Sequence, residues 1–185
     1  MFRYLFFFLT LASSVSLYSQ FNQNQPLHPW KNMVLISKSV GINSEGTKAA
    51  FYTNRNRRVP AKEWIFPWGL GFEQSEIREN VFLKSDYITF SSRYFSIGRN
   101  GFKHFKKDFY FNLMLNVGLG NEKLTDFSFQ ETNRFLAGLE TSQGLLYIPK
   151  SKFGFALGLG VFEKLSTSKI YSFDFGIVFS LGITI

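Results

Sequence analysis

Between positions 171 and 185 apolar residues take every odd place: Tyr171, Phe173, Phe175, Ile177, Phe179, Leu181, Ile183 and Ile185. The even places hold Ser172, Asp174, Gly176, Ser180, Gly182 and Thr184, with Val178 the exception. Alternation with period two is that of a strand, whose successive side chains point to opposite faces. One face is apolar over the ~9–11 residues that a tilted strand needs to cross a bilayer. The other face is small and polar, which predicts lipid outside and a tight polar lumen inside.

The same alternation recurs along the chain. Residues 33–42 place Val34, Ile36, Val40 and Ile42 on one face, broken by Lys38, and residues 47–53 do so with Ala49 and Phe51. Residues 63–73 alternate Trp64, Phe66, Trp68, Leu70 and Phe72 with smaller partners. Pro67 lies within that run and cannot donate to a ladder, so an interruption is expected there. Residues 87–96 are read with Ile88, Phe90 and Tyr94 outward and Arg93 inward. Residues 108–120, 133–148 and 153–161 complete the set; the first carries Phe109, Phe111, Leu113, Leu115, Val117 and Leu119 against Asn112, Asn116, Gly118 and Gly120. The fold class predicted is all-β: a closed antiparallel up-and-down transmembrane barrel of eight strands. An even number returns both ends of the chain to one side. With that side periplasmic, GRNGFKHFKK is a periplasmic connection, NEKLTDFSFQET a long external one, PKSK a short periplasmic turn and EKLSTS the last external loop.

Composition agrees with the pattern. Aromatic residues make up 19% of the chain, 24 of them Phe, yet mean hydropathy is near zero because polar residues are interleaved. There is no cysteine, which removes disulfides, thiolate nucleophiles and zinc-thiolate sites. Residues 1–19 combine Arg3, an apolar run and a mostly small-residue end, which reads as a secretory signal. Residues 20–32 are then a flexible leader and 33–185 the barrel domain. The net charge of +8 is concentrated on the inferred periplasmic side, in Arg55, Arg57, Arg58, Lys103, Lys106 and Lys107, a cluster suited to anionic lipid head groups. Nucleic acid is excluded as a partner for an exported chain. Trp64, Trp68, Tyr87, Tyr94, Tyr147 and Tyr171 fit aromatic girdles.

This pattern resembles the small eight-stranded bacterial outer-membrane barrels, such as the OmpA-type transmembrane domain. The last strand carries the most specific part of the resemblance: Asp174, Gly176, Phe179 and Leu181 fit the terminal assembly signal of that group, although the chain ends in Ile185 rather than an aromatic residue. The resemblance implies outer-membrane localisation after export, outer-membrane lipid as surroundings, and the barrel-assembly machinery with periplasmic chaperones as partners.

Candidate chemistry is sparse. His28 and His104 are the only histidines, and His104, in FKHFKK, lacks the Ser two positions away that a lipid A deacylase barrel uses. Glu73, Arg93, Glu140 and Asp174 are read as inward-facing. In a lumen just wide enough for side chains they are expected to form an ion network rather than an acid–base site. No catalysis, cofactor or metal is expected, and the external loop partner is unknown. Two other readings stand beside this one: a soluble exported lipocalin-like barrel holding an apolar ligand, and an outer-membrane lipid-modifying barrel enzyme. Parity separates the first, because a soluble barrel would turn its Phe and Leu rows inward.

Overall fold

The computed structural model describes residues 31–54, 63–78, 87–149 and 154–185. The expected signal, the leader up to residue 30, and Arg55, Arg57 and Arg58 lie outside the described residues. The strands are β1 (Asn32–Gly41), β2 (Ser44–Thr53), β3 (Trp68–Ile77), β4 (Tyr87–Lys106), β5 (Phe109–Asp126), β6 (Glu131–Tyr147), β7 (Phe155–Ser166) and β8 (Phe173–Thr184). Each pairs antiparallel with the next, and β8 pairs with β1, so the sheet is closed. Pro67 stands just before β3, and beyond it the ladder resumes only as the single bridge Ile65 to Phe102, which is the interruption expected of a residue without an N–H.

One hydrogen-bonded row fixes the geometry. It runs from Asn32 through Thr53, Trp68, Arg99, Leu115, Thr141, Glu163 and Phe175 to Ile42, ten residues further along the chain than it began. That stagger tilts eight strands by roughly 40° and leaves an interior only wide enough for side chains. The row climbs from the end where β1 starts and β8 finishes, here the terminal end, to the opposite far end.

Parity decides what faces where. Phe51, Trp68, Leu70, Phe72, Phe95, Val117, Leu119, Leu157, Leu159, Phe175, Phe179 and Leu181 are all exposed on the outside. Their neighbours Gly69, Gly71, Gly118, Gly176, Ser75, Ser96 and Asp174 point inward. The interior itself is layered. At the terminal end Met33, Leu35, Tyr52, Phe102, Tyr110 and Leu146 form an apolar plug, so the lumen is less polar there than its alternation implied. A smaller plug of Ile77, Phe90, Leu124 and Tyr171 closes the far end. Between them lie the charged residues.

β4 departs from its predicted parity. Phe90 and Tyr94 are buried inside, and Arg93 is exposed on the outer face. The cause is volume: Tyr94, 1% exposed, lies over Gly118 and Gly138, where an added Cβ would stand 2.5 Å from the ring and 2.7 Å from its hydroxyl. Those glycines leave space only an inward aromatic fills, and the strand's odd positions must then face out. Tyr94 and Tyr171 are therefore lumen residues rather than members of a girdle.

Strand lengths were also underestimated. GRNGFKHFKK belongs largely to β4, leaving a turn at Lys107 and Asp108, with Lys107 in the left-handed region at φ 51°. NEKLTDFSFQET is mostly strand: β5 runs to Asp126 and β6 begins at Glu131. At the far end β3 leaves β4 after the Glu76 to Ser91 pair, and β6 leaves β7 beyond Gly138 to Ser166, while β5 keeps both neighbours out to Asp126 and Glu131. The three longest strands thus continue as a flap beyond the barrel wall.

Tyr94→Ala should destabilise the barrel by about 3–5 kcal/mol, as for other buried aromatics cut to Ala, and Gly118→Val by about 1–3 kcal/mol through overpacking against the same ring. Urea unfolding in detergent micelles, followed by Trp fluorescence, measures both.

Candidate functional site

The middle of the lumen holds the clearest constellation of charge. Lys48 on β2 donates to Glu140 on β6 at 2.7 and 2.9 Å, and Lys164 on β7 donates to Glu73 on β3 at 2.9 Å. All four side chains are buried. Lys48 is also the cross-strand neighbour of Glu73, and Glu140 that of Lys164. The result is a ring of alternating sign in which both ion pairs reach across the barrel, each between strands four apart in sequence. The Lys164 ammonium also lies 4.6 Å from the centre of the Tyr94 ring.

Both glutamates come from the expected set, and the lysines were missed. Lys48 alternates with Ala49 and Phe51, so parity alone would have placed it inside. Lys164 was hidden because EKLSTS, residues 163–168, read as a loop, whereas 163–166 are the end of β7. Arg93, expected in this network, is on the outer wall beside Gln74 and Asn121. Asp174 does face inward, but at the far rim: it accepts from Ser44 Oγ at 2.6 Å, Ser44 N at 3.1 Å and Asn43 N at 3.0 Å, tying the β1–β2 turn to β8. A Cβ at Gly41 would lie 2.4 Å from Asp174 Oδ2, so the absence of a side chain there makes room for the carboxylate.

This network leaves almost no free space around it. The cavity among Lys48, Tyr52, Glu73, Glu140 and Lys164 has a volume of about 20 Å³, enough for a single water and no substrate. Apolar plugs seal it above and below. His104 lies away from it at the terminal end, where its Nε2 meets the Lys107 carbonyl and its ring packs on Tyr110. No group of three or more His, Cys, Asp or Glu suited to a metal is found among the described residues. Tyr171 sits between β7 and β8, outside the strands, and burial pushes its phenol above the ordinary value, keeping it neutral in the far-end plug.

The far end offers the exposed chemistry. Asp126 Oδ1 accepts from Ser128 N at 2.8 Å and Gln130 N at 2.9 Å, holding the β5–β6 turn with Phe129 at φ 59°. Phe127 and Phe129 at this tip are 68% and 79% exposed, and residues 131–135 are exposed on both faces. Beneath the flap Glu122, fully buried, accepts from Arg134 at 3.4 Å and from Lys169 N at 3.1 Å, joining β5, β6 and the β7–β8 connection. Lys103, Lys106 and Lys107 stand at the terminal end. On β8, Phe179 and Leu181 face outward while Asp174 and Gly176 face inward.

No protein-family model and no curated protein matches the sequence. Among solved structures the chain is similar to Neisserial surface protein A, NspA, with a TM-score of 0.51 and 8% identity over 87% of this chain and 100% of that one. It is also similar to Ail, the attachment invasion locus protein of Yersinia pestis, with a TM-score of 0.47 and 17% identity over 83% of this chain and 93% of that one. The fold is that of the small eight-stranded outer-membrane barrels.

Lys164→Met should cost about 3–5 kcal/mol by leaving Glu73 buried without its partner, and adding Glu73→Leu should recover most of that loss. A double-mutant cycle by urea unfolding in micelles measures the coupling.

Proposed function

We propose that this chain is an integral protein of the bacterial outer membrane, without catalysis, that acts at the cell surface through the flap formed by β4, β5 and β6. The observation that carries this reading is the exposed belt of Phe, Leu, Ile, Val and Trp around a closed ladder. In water so large an apolar surface is an association hazard; in hydrocarbon it is the solvent-matched face, and closure leaves no backbone group unpaired at that depth. The lipocalin-like alternative needs the opposite parity. A lipid-modifying enzyme needs a nucleophile and base within reach of each other, and His104 meets a backbone carbonyl and Tyr110 instead.

In this placement the terminal end is periplasmic. Lys103, Lys106 and Lys107 then meet the anionic head groups of the inner leaflet, and the sequence adds Arg55, Arg57 and Arg58 to that expected cluster. Asp174, Gly176, Phe179 and Leu181 serve as the signal read by the barrel-assembly machinery after export of the precursor by residues 1–19. The flap stands outside, presenting Phe127 and Phe129 on a rigid hairpin, a form suited to docking because aromatic side chains anchor interfaces when pre-ordered.

Fractionation tests the placement: the protein should remain with outer membranes through a carbonate wash, and recovery in the soluble periplasm overturns it. Orientation is read by introducing Ser128→Cys into a chain that has no cysteine. An impermeant maleimide should label it on intact cells; labelling only after permeabilisation puts the flap on the other side.

A further inference from the structure

The outer wall is not uniformly apolar. Lys38, Arg99 and Glu163 also face outward within the belt. Lys38 reaches Glu45 near the far rim at 3.5 Å. Arg99 stacks on Trp68 at 4.2 Å and donates to the Phe66 carbonyl at 2.8 Å. Glu163 is different: it is 7% exposed, and its Oε2 is buried with no hydrogen-bond partner in the structure. A buried carboxyl oxygen without a partner is expensive at membrane depth, and such groups face cavities or partners.

Glu163 does face a cavity. A groove of about 200 Å³ crosses the outside of β4 to β7, lined by Arg99, Leu113, Leu115, Thr141, Gln143 and Glu163 among others. Its volume is of the order of the ~150 Å³ apolar cavity that takes up benzene, so it admits a segment of hydrocarbon chain. Leu113, Leu115 and Val161 supply the apolar contact, and Glu163, three residues from the far end of β7, supplies an unmet carboxylate oxygen; Ser142, which also lines the groove, has an unpartnered Oγ as well, on a strand position whose parity is inward.

We propose that this groove binds one acyl chain of the surrounding leaflet, and that the chain carries a hydroxyl which hydrogen-bonds Glu163. The inference rests on the membrane placement proposed above, because only that placement supplies the ligand from the side. A hydroxyl both donates and accepts, so it satisfies Oε2 whether the carboxyl is ionised or protonated; a plain methylene chain satisfies neither. Gln143 and Thr141 extend the polar side of the groove. A second copy of this chain is the competing occupant, and its β-strand wall would bring no donor other than a side chain matched to Glu163.

The test uses protein extracted from outer membranes in detergent, titrated with 3-hydroxytetradecanoic acid or tetradecanoic acid and read by native mass spectrometry. The wild type should retain the hydroxylated acid about tenfold more tightly, the effect of one hydrogen bond to a carboxylate. Glu163→Leu should bind both acids alike, while Glu163→Gln, which keeps an acceptor oxygen, should retain part of the preference. The shift in gel mobility between unheated and heated samples confirms that each variant is a folded barrel. Equal retention of the two acids by wild type overturns the proposal, as does a preference that survives Glu163→Leu, or a dimer that neither acid displaces. Failure here leaves the fractionation result standing, so the site and the membrane placement fall separately.

Discussion

Closure of the ladder between β8 and β1 is the constraint on which the rest depends. Residues 33–41 pair with 176–184, and the seam is finished by Asn32 N to Ile185 O at 2.8 Å and Ile185 N to Asn32 O at 2.8 Å. A closed sheet has no edge, which is the condition for a β-structure to sit in hydrocarbon. It also fixes the stagger, and the stagger fixes the bore. With eight strands the bore is only wide enough for side chains, so the interior is a packed core rather than a pore. The glycines beneath Tyr94 and Asp174 follow from this: where one strand sends a large or charged group inward, the strands nearby give up a side chain.

The same narrowness explains the charged ring. Plugs of Met33, Leu35, Phe102 and Tyr110 at one end and Phe90, Leu124 and Tyr171 at the other keep bulk water from the middle. Four charges placed there survive only as pairs, and alternating their sign around the ring gives each lysine two glutamates within reach. Buried pairs of this kind are weak evidence for net stability, since desolvation offsets most of the attraction. Their geometry bears more on shape: struts from β2 to β6 and from β3 to β7 hold two crossing diameters of the barrel at fixed length.

Much of this was legible in the residues. Wherever large apolar side chains alternated with Gly, Ser or Asn, as in β5 and β8, parity followed directly. Legibility failed where the alternation carried two large faces or two polar ones. Residues 90 to 95 hold Phe90, Tyr94 and Phe95, and only the glycines of β5 and β6, distant in sequence, determine which aromatic goes inside. The ends of β4, β5 and β7 read as loops because beyond the belt an outward strand face is as polar as a loop; 121–126 is strand by pairing with two neighbours, not by hydropathy. Glu163 was lost for the same reason. Its neighbour Lys164 looked like part of a polar loop, yet it is the inward partner of Glu73.

The flap raises a different problem, since it restores the edge that closure removed. Beyond Gly138, β6 has β5 on one side and, among the described residues, no continuing ladder on the other. An open edge invites pairing with another chain, and the usual protection is charge and short length. Both are present: the unpaired stretch carries Glu131, Asn133 and Arg134, and Thr167 closes its base by donating from its amide to Ala137 O at 2.9 Å. Strand addition is therefore disfavoured along this edge, and the tip beside it exposes Phe127 and Phe129 instead. Phe127 and Phe129 sit on a turn held by three bonds to Asp126, one to its carbonyl and two to its carboxylate, so the tip is ordered by its own hydrogen bonds. Order of this kind lowers the entropic cost of any docking, so of the two exposed features of the flap, the hairpin tip and the open edge beside it, the tip is the one already fixed in shape.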